Sequence, residues 1–256
     1  MEIGLKIWAS NKGYAKEVSN LIDQCFCDFI EIYVDEGCKE EDAEFWRNII
    51  KKVSLHAPHS YGGFNPANPG FLEEKTTALR KIEVFRRELN PLYIIFHPGI
   101  EGQLTETIRQ YKKFKQEFPA IFDLAYIENK PKIGCNDEIC LGASMAEVNE
   151  IQECLGFGFC LDIAHVMCYA AWARQSWEPI LDDFLLLKPN VFHLCDGFIS
   201  SEKDSHLHLG EGDYDFKNVL EKMPRDGRVV IEAQHDSTER LDDFRKDVVF
   251  LRKCLS

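Results

Sequence analysis

Short apolar runs recur along the chain, and longer amphipathic stretches separate them. The runs are nearly free of polar residues, which is typical of strands that are buried on both faces of a parallel sheet. Eight strands are predicted: Glu2–Trp8, Phe29–Val34, Val53–Ala57, Tyr93–His97, Leu124–Glu128, Gly158–Asp162, Val191–Cys195 and Val229–Glu232. The stretches between them repeat with helical periodicity. The predicted helices include Phe71–Glu88, Leu104–Phe118, Ser144–Leu155 and Thr238–Leu255.

Strands that alternate with helices in this number favour a closed parallel barrel. The length of 256 residues is close to the typical length of a single TIM barrel, about 250 residues. An open, doubly wound sheet is the structural alternative, but it usually carries a G-x-G-x-x-G turn after its first strand. Residues 9–13 read ASNKG, which is no such turn. The sequence therefore predicts an α/β protein that forms one (β/α)8 TIM barrel domain over residues 1–256.

The composition, with 45% hydrophobic and 29% charged residues, is ordinary for a domain with a sizeable core. The net charge of −13 disfavours a broad basic surface for nucleic acid, although bound divalent ions would restore positive charge locally. We see no apolar run of about 18 residues and no signal-peptide pattern. The ten cysteines form no C-x-x-C pair, so we interpret them as reduced thiols. We expect a cytoplasmic monomer with no membrane partner.

Side chains that can bind metals stand where six consecutive predicted strands end. One such residue alone is more often structural than functional, but in a barrel these strand ends meet at one mouth, where active sites lie. Carboxylates gathered there would repel one another, and we expect no basic partners from the apolar strand ends. Divalent cations solve this problem, and mixed imidazole and carboxylate ligands suit zinc, manganese or iron. The residues are His56, His97, Glu128, Asp162 with the following His165, His193 and Glu232.

The segment DSHLHLGEG, residues 204–212, adds further ligand types after the seventh strand. Asp204 and His206 are two positions apart, so in an extended loop their side chains face the same side. Gly210 and Gly212 allow the backbone to turn tightly. The alternative interpretation of this segment is a solvated polar loop.

The motifs LHAPH, FHPG, IEN, GFCLDIAH, FHLCDG, DSHLHLGEG and VVIEA occur in this order between residues 53 and 233. As an ordered set they resemble AP endonuclease family 2, whose best-known member is endonuclease IV, within the xylose isomerase-like barrel superfamily. A single motif such as FHPG is weak, whereas the ordered set contains every ligand type of the family.

The resemblance implies a trinuclear metal site and cleavage of DNA 5′ to abasic sites. The metal is usually zinc, and manganese is possible here. By motif, His56, His97 and Glu128 hold one ion, Glu128 bridges to a second held by Asp162, His193 and Glu232, and His165, Asp204 and His206 hold the third. We take Glu128 and Glu232 as the candidate catalytic residues.

The chain departs from the family in the segments that face DNA. The first strand reads GLKIW instead of a GAHVS-like segment, HS at 59–60 stands where Tyr-Leu is usual, KPK at 130–132 replaces a Gly-rich stretch, and IA at 163–164 replaces Thr-Cys. The ligands are thus better supported than the substrate. Lys130, Lys132 and Lys203 flank ligand positions, and we predict that they bind substrate phosphate.

Two other functions stay open. A sugar or sugar phosphate isomerase or epimerase on the same barrel would bind one ion and a small sugar, with two carboxylates exchanging a proton next to a carbonyl. Its ligands would be Glu128, Asp162, His193 and Glu232. The ligands outside that set exceed what one ion needs, which favours the nuclease. A metal-stabilised binding protein is less favoured, because structural metal sites are usually closed and single.

Overall fold

Eight parallel strands close into a barrel in chain order in the computed structural model, which describes residues 1–255. The strands are β1 (Glu2–Trp8), β2 (Phe29–Tyr33), β3 (Val53–His56), β4 (Ile94–Phe96), β5 (Ala125–Glu128), β6 (Gly158–Asp162), β7 (Val191–Leu194) and β8 (Arg228–Ile231). Because β1 pairs with both β2 and β8, the sheet has no free edge. The predicted (β/α)8 barrel is confirmed, and no predicted strand end is wrong by more than one residue.

Helices follow the strands and pack around them. They are α1 (Ala15–Asp23), α2 (Glu40–Arg47), α3 (Leu72–Leu89), α4 (Leu104–Glu117), α5 (Pro119–Phe122), α6 (Met145–Leu155), α7 (Ile163–Ala173), α8 (Trp177–Leu185), α9 (Phe216–Lys222) and α10 (Asp242–Leu255). The prediction that the last helix begins at Thr238 is wrong. Ser237 Oγ accepts the N–H groups of Glu239 and Arg240, both at 3.2 Å, so the chain turns here before α10 begins.

Helix α6 shows how local sequence sets the ends of an element. Ser144 Oγ accepts the N–H of Glu147 at 3.3 Å, and the Glu147 carboxylate accepts the N–H of Ser144 at 3.4 Å, which is a capping box. At the other end Gly156 has a φ of 70°, the left-handed conformation that glycine adopts without steric cost. The ten cysteines of the chain are all free thiols.

The barrel interior has an apolar floor. Gly4 leaves room for the Phe29 ring, because a Cβ at this position would lie 2.5 Å from Phe29 Cζ. The buried side chains of the floor are Phe29, Tyr93, Ile95, Cys160, Val191 and Val230. Side chains alternate across a strand, so each strand presents one further inward-facing side chain on the C-terminal side of this floor. All eight of these are ionisable: Lys6, Glu31, His56, His97, Glu128, Asp162, His193 and Glu232.

Candidate metal centre

Glu128 lies at the centre of the polar cluster in the barrel mouth. Its Oε2 is 3.2 Å from Nε2 of both His56 and His97. Its Oε1 is 3.3 Å from His165 Nδ1, and Oε2 is 3.4 Å from His193 Nδ1. This carboxylate is buried at the end of β5 and contacts four imidazoles. They lie on β3, just after β4, at the start of α7 and on β7.

The start of α7 fixes the orientation of two further predicted ligands. Asp162 Oδ1 accepts the N–H of His165 at 2.8 Å and so caps the helix. Asn129 also stabilises the start of this helix, because its Oδ1 accepts the N–H of Asp162 at 2.7 Å. The Asp162-x-x-His165 spacing therefore places both side chains on the mouth side of β6, as expected for positions three apart at a helix start.

Asp204 and His206 meet through a turn and not through an extended loop, so that expectation is wrong. His206 has a φ of 47°, and its N–H donates to Asp204 Oδ1 at 3.1 Å. The turn brings His206 Nε2 within 3.1 Å of Asp204 Oδ2, and His165 Nε2 lies 3.5 Å from the same oxygen. Its backbone is held against the segment that follows β8, since the His206 carbonyl accepts the N–H of Gln234.

Backbone carbonyls set the tautomer of three of these histidines. Nδ1 of His56 lies 2.8 Å from the Ala57 carbonyl, Nδ1 of His165 lies 2.8 Å from the Asn129 carbonyl, and Nδ1 of His206 lies 3.1 Å from the Glu232 carbonyl. A carbonyl only accepts, so each neutral ring donates from Nδ1. Nε2 of each ring then faces a carboxylate oxygen of the mouth.

All nine predicted ligands belong to groups whose ligand atoms lie within 4.8 Å of one another and could hold a metal ion, and these groups also include Glu31 and Cys195. Several buried ligand atoms lack a hydrogen-bond partner: Glu31 Oε1, Asp162 Oδ2, Asp204 Oδ2 and both ring nitrogens of His193. Buried polar atoms without partners are rare in proteins. Imidazole and carboxylate groups with these free atoms fit divalent cations.

Burial and neighbouring charge shift the pKa values in the site. Burial and Lys130 lower the pKa of His97 to about 3, so this ring is neutral and keeps a lone pair. Burial raises the pKa of Asp162 to about 6, and the charge of Asp204 adds to the effect. Burial opposes a charge on His165, yet Asp162 raises the pKa of this histidine to about 9. The crowded carboxylates thus favour any nearby positive charge.

We expected no basic partners from the apolar strand ends, but two lysines near those ends contact the carboxylates. Lys6, on β1, pairs with Glu232 and lies 3.9 Å from Glu31 Oε1. Lys130 Nζ is 3.6 Å from Glu128 Oε1. Lys6 lies inside β1, two residues before its end, so the pattern of polar residues at the strand ends does not include it. These two ammonium groups offset part of the negative charge of the site.

A cavity of about 660 Å³ lies above the cluster. Lys130, His97, His165, Asp204 and His206 are among its lining residues. The other two predicted phosphate-binding lysines are not among the residues that line it. Lys132 Nζ lies over the Trp172 ring, 5.9 Å from its centroid, and Lys203 Nζ pairs with Asp137 at 2.7 Å.

Four residues of the site lay outside the predicted set. Glu31 occupies the centre of β2, where one charged residue between isoleucines was the only sequence signal. Cys195 Sγ donates to Asp204 Oδ1 at 3.4 Å. His59 Nδ1 lies 3.2 Å from His97 Nδ1, and the His59 ring stacks on Tyr33 with centroids 4.8 Å apart. Lys6 completes this group.

The model of AP endonuclease family 2, described as a xylose isomerase-like TIM barrel, matches residues 27–254. The chain belongs to this family. A probable endonuclease 4 of Halothermothrix orenii is 27% identical over 227 residues, which are 75% of this chain and 78% of that protein. The predicted family resemblance is thus confirmed.

Solved structures of two kinds of protein share the fold. Endonuclease IV from Thermus thermophilus superposes with a TM-score of 0.75 at 17% identity, covering 100% of this chain and 99% of that chain. A D-tagatose 3-epimerase-like protein superposes with a TM-score of 0.73 at 19% identity, covering 100% and 97%. No helix within residues 1–255 is long and apolar enough to cross a membrane.

Proposed function

We propose that this protein is a metal-dependent phosphodiester hydrolase that cleaves DNA at abasic sites and binds up to three divalent ions. The observation that carries the proposal is the third ligand group. His165 connects Glu128 to Asp204, and Asp204 contacts His206 at 3.1 Å. One ion needs no such extension. The 27% identity to a protein named probable endonuclease 4 supports the same activity.

The proposed ligand groups follow the contacts around Glu128. His56 and His97 share Glu128 Oε2, and both present Nε2 to it. A second ion would use Asp162, His193 and Glu232 together with Glu128. The third would use His165, Asp204 and His206. The ligand atoms of the Glu128, Asp162 and His165 group already lie within 4.8 Å of one another.

Zinc is the metal that these residues fit best. Four of the five histidines in the set have a contact from Nε2 to a carboxylate oxygen of another predicted ligand, and neutral imidazole with carboxylate is a common zinc ligand set. Cys195 Sγ belongs to the ligand group of Asp204 and His206. Sulfur favours zinc over magnesium and manganese.

When bound, divalent ions at these positions supply Lewis acidity, which generates a nucleophile near neutral pH and stabilises charge on the phosphate. The residues of the chain position these groups. Glu128 links the ligand groups through both carboxylate oxygens. Lys130 lines the cavity, where its ammonium can pair with a phosphate oxygen. Lys6 pairs with Glu232 and holds its carboxylate in position.

The decisive test is cleavage of a duplex that carries one abasic site. Zinc-loaded protein should cleave it at the 5′ side, chelation by EDTA should abolish the cleavage, and added zinc should restore it. Added salt should weaken binding steeply. The same duplex without the lesion is the control. Absence of cleavage by fully metallated protein would reject the hydrolase.

A sugar isomerase or epimerase is the second candidate, because the cavity has an acidic rim that suits a small neutral substrate. Asp35, Glu36 and Glu138 line it, and their charge opposes the approach of a DNA backbone. In this case Glu128 and Glu232 would move the proton. Metal-dependent interconversion of a ketose pair, with no cleavage of abasic DNA, would establish this function instead.

A further inference from the structure

Glu31 is a buried carboxylate that the ligand assignment leaves without a role. It lies in the middle of β2, and its side chain is fully buried. Strand alternation points it into the barrel, one step above the floor residue Phe29. Burying a carboxylate is costly unless partners compensate for the lost hydration. Its partners therefore indicate what it does.

One carboxylate oxygen of Glu31 lies close to a ring nitrogen of His193. Its Oε1 lies 3.2 Å from His193 Nε2, nearer than Lys6 Nζ at 3.9 Å. Its Oε2 accepts from Ser54 Oγ at 3.3 Å. Neither Glu31 Oε1 nor His193 Nε2 makes a hydrogen bond within residues 1–255. The 3.2 Å contact therefore joins two buried polar atoms that are otherwise unsatisfied, and Lys6 Nζ is a further charged neighbour of Glu31 Oε1.

His193 is reversed relative to the other histidines of the site. His56, His165 and His206 direct Nδ1 to a backbone carbonyl and Nε2 to the carboxylates. His193 instead directs Nδ1 to the carboxylates, at 2.6 Å from Glu232 Oε1 and 3.4 Å from Glu128 Oε2. No carbonyl sets its tautomer, and Glu31 stands at the nitrogen where the carbonyl would be.

We propose that Glu31 is a positioning residue that accepts the Nε2 proton of His193 and thereby presents the Nδ1 lone pair to a divalent cation between Glu128 and Glu232. This inference rests on the metal site of the proposed function, but not on the number of ions or on the substrate. A carboxylate behind a ligating histidine orients the ring and increases its basicity as a ligand. The proposal assigns Glu31 to orient the ring and not to bind the ion, because its Oε1 contacts Nε2 whereas Glu128 and Glu232 contact Nδ1.

Glu31 also affects how the ammonium group of Lys6 interacts with Glu232. Lys6 lies between two carboxylates, Glu31 and Glu232. With Glu31 present, the ammonium charge is shared between them. Without Glu31, Lys6 would pair with Glu232 alone and compete with the cation for this ligand. Loss of Glu31 should therefore weaken metal binding through both His193 and Glu232.

The test compares Glu31→Leu, which removes the acceptor, with Glu31→Gln, which keeps an acceptor oxygen but no charge. Ser54→Ala is the matched control, because it removes a partner of Glu31 Oε2 and leaves the contact with His193. Zinc affinity is measured by competition with a chelator, and the His193 tautomer by ¹⁵N NMR of the zinc-loaded protein. Thermal unfolding of each metal-free variant monitors folding.

We expect wild-type His193 to carry its proton on Nε2 and to bind zinc through Nδ1. Glu31→Leu should weaken zinc binding at the most affected site about 10- to 100-fold. Glu31→Gln should lose less zinc affinity than Glu31→Leu, and Ser54→Ala should bind zinc with the affinity of the wild type. Zinc on Nε2 in the wild type, or wild-type affinity in Glu31→Leu, would overturn the proposal. If Glu31→Leu does not fold, the zinc affinity of Glu31→Gln and the His193 tautomer in the wild type test the proposal.

The result also separates this proposal from the proposed function. A wild type that binds no zinc rejects both. A wild type that binds one ion, with affinity lowered by Glu31→Leu, rejects the trinuclear hydrolase and supports the role of Glu31. Three bound ions with unchanged affinity in Glu31→Leu reject the role of Glu31 and leave the hydrolase.

Discussion

Replacing His206 by alanine tests whether the third ligand group binds an ion. The imidazole contacts Asp204 Oδ2 through Nε2 at 3.1 Å, and its Nδ1 donates to the Glu232 carbonyl. Its side chain is 40% exposed, so it contributes little to the core of the barrel. The substitution therefore removes a proposed ligand from the mouth and leaves the floor untouched.

The expected effects on metal binding and on stability differ in size. If three ions are bound, the variant should lose about one equivalent of zinc. Activity on the true substrate should fall at least about 10²-fold, more than the 10- to 100-fold typical for loss of a group that only supports a ligand. Folding should lose only about 1 kcal/mol, the net value of the hydrogen bond to the Glu232 carbonyl. The left-handed φ at residue 206 stays with alanine, so this strain cancels.

The assay is elemental analysis of wild type and His206→Ala side by side, with urea unfolding of both proteins. His208→Gln is the matched control, because His208 lies in the same loop but contacts Asp247, at 2.9 Å, instead of Asp204. The control should retain the metal content of the wild type. Equal zinc stoichiometry in wild type and His206→Ala would show that the third group is only a hydrogen-bonded loop, and the trinuclear assignment would be wrong.

Three further predictions concern charge and metal in the same barrel. Lys6→Met should destabilise the metal-free protein by about 3 kcal/mol, because it leaves Glu31 and Glu232 without their buried ammonium; if added zinc does not recover part of this loss in urea unfolding, the explanation fails. Zinc at 100 times its dissociation constant should stabilise the wild type by about 2.7 kcal/mol per independent site, and a melting temperature that ignores EDTA contradicts metal binding. Burial opposes ionisation of Asp243, but His235 and the N–H groups of Asp236 and Phe244 lower its pKa to about 2. Because the folded pKa lies below the ordinary value of 3.8, ionised Asp243 stabilises the fold above about pH 4, and this stabilisation is lost as the pH falls towards 2. Asp243→Asn should therefore flatten this part of the acid-unfolding curve. An unchanged curve refutes the assignment.

The sequence determined the barrel and most of the candidate ligands, because both depend on patterns that are local. Continuous apolar runs place eight strands, and the first polar residue at a strand end faces the mouth whatever the loops do. His97 and Glu232 could therefore be assigned to one site from positions 135 residues apart in the chain. The predicted start of the last helix at Thr238 was wrong, because Ser237 competes with the helix for backbone N–H groups.

Only the tertiary structure decided which charges meet. Lys6 and Glu31 lie inside strands, and their pairing depends on the register Lys6↔Glu31 between β1 and β2, which no local pattern specifies. The left-handed turn at His206 is set by contacts with Glu232 and Gln234, which are distant in sequence. The tautomers of the histidines likewise depend on which acceptor faces each ring. The residue types along the chain thus indicate the candidate ligands. The electrostatic balance of the site arises instead from closure of the barrel, which brings ionisable side chains in or directly after all eight strands to one mouth.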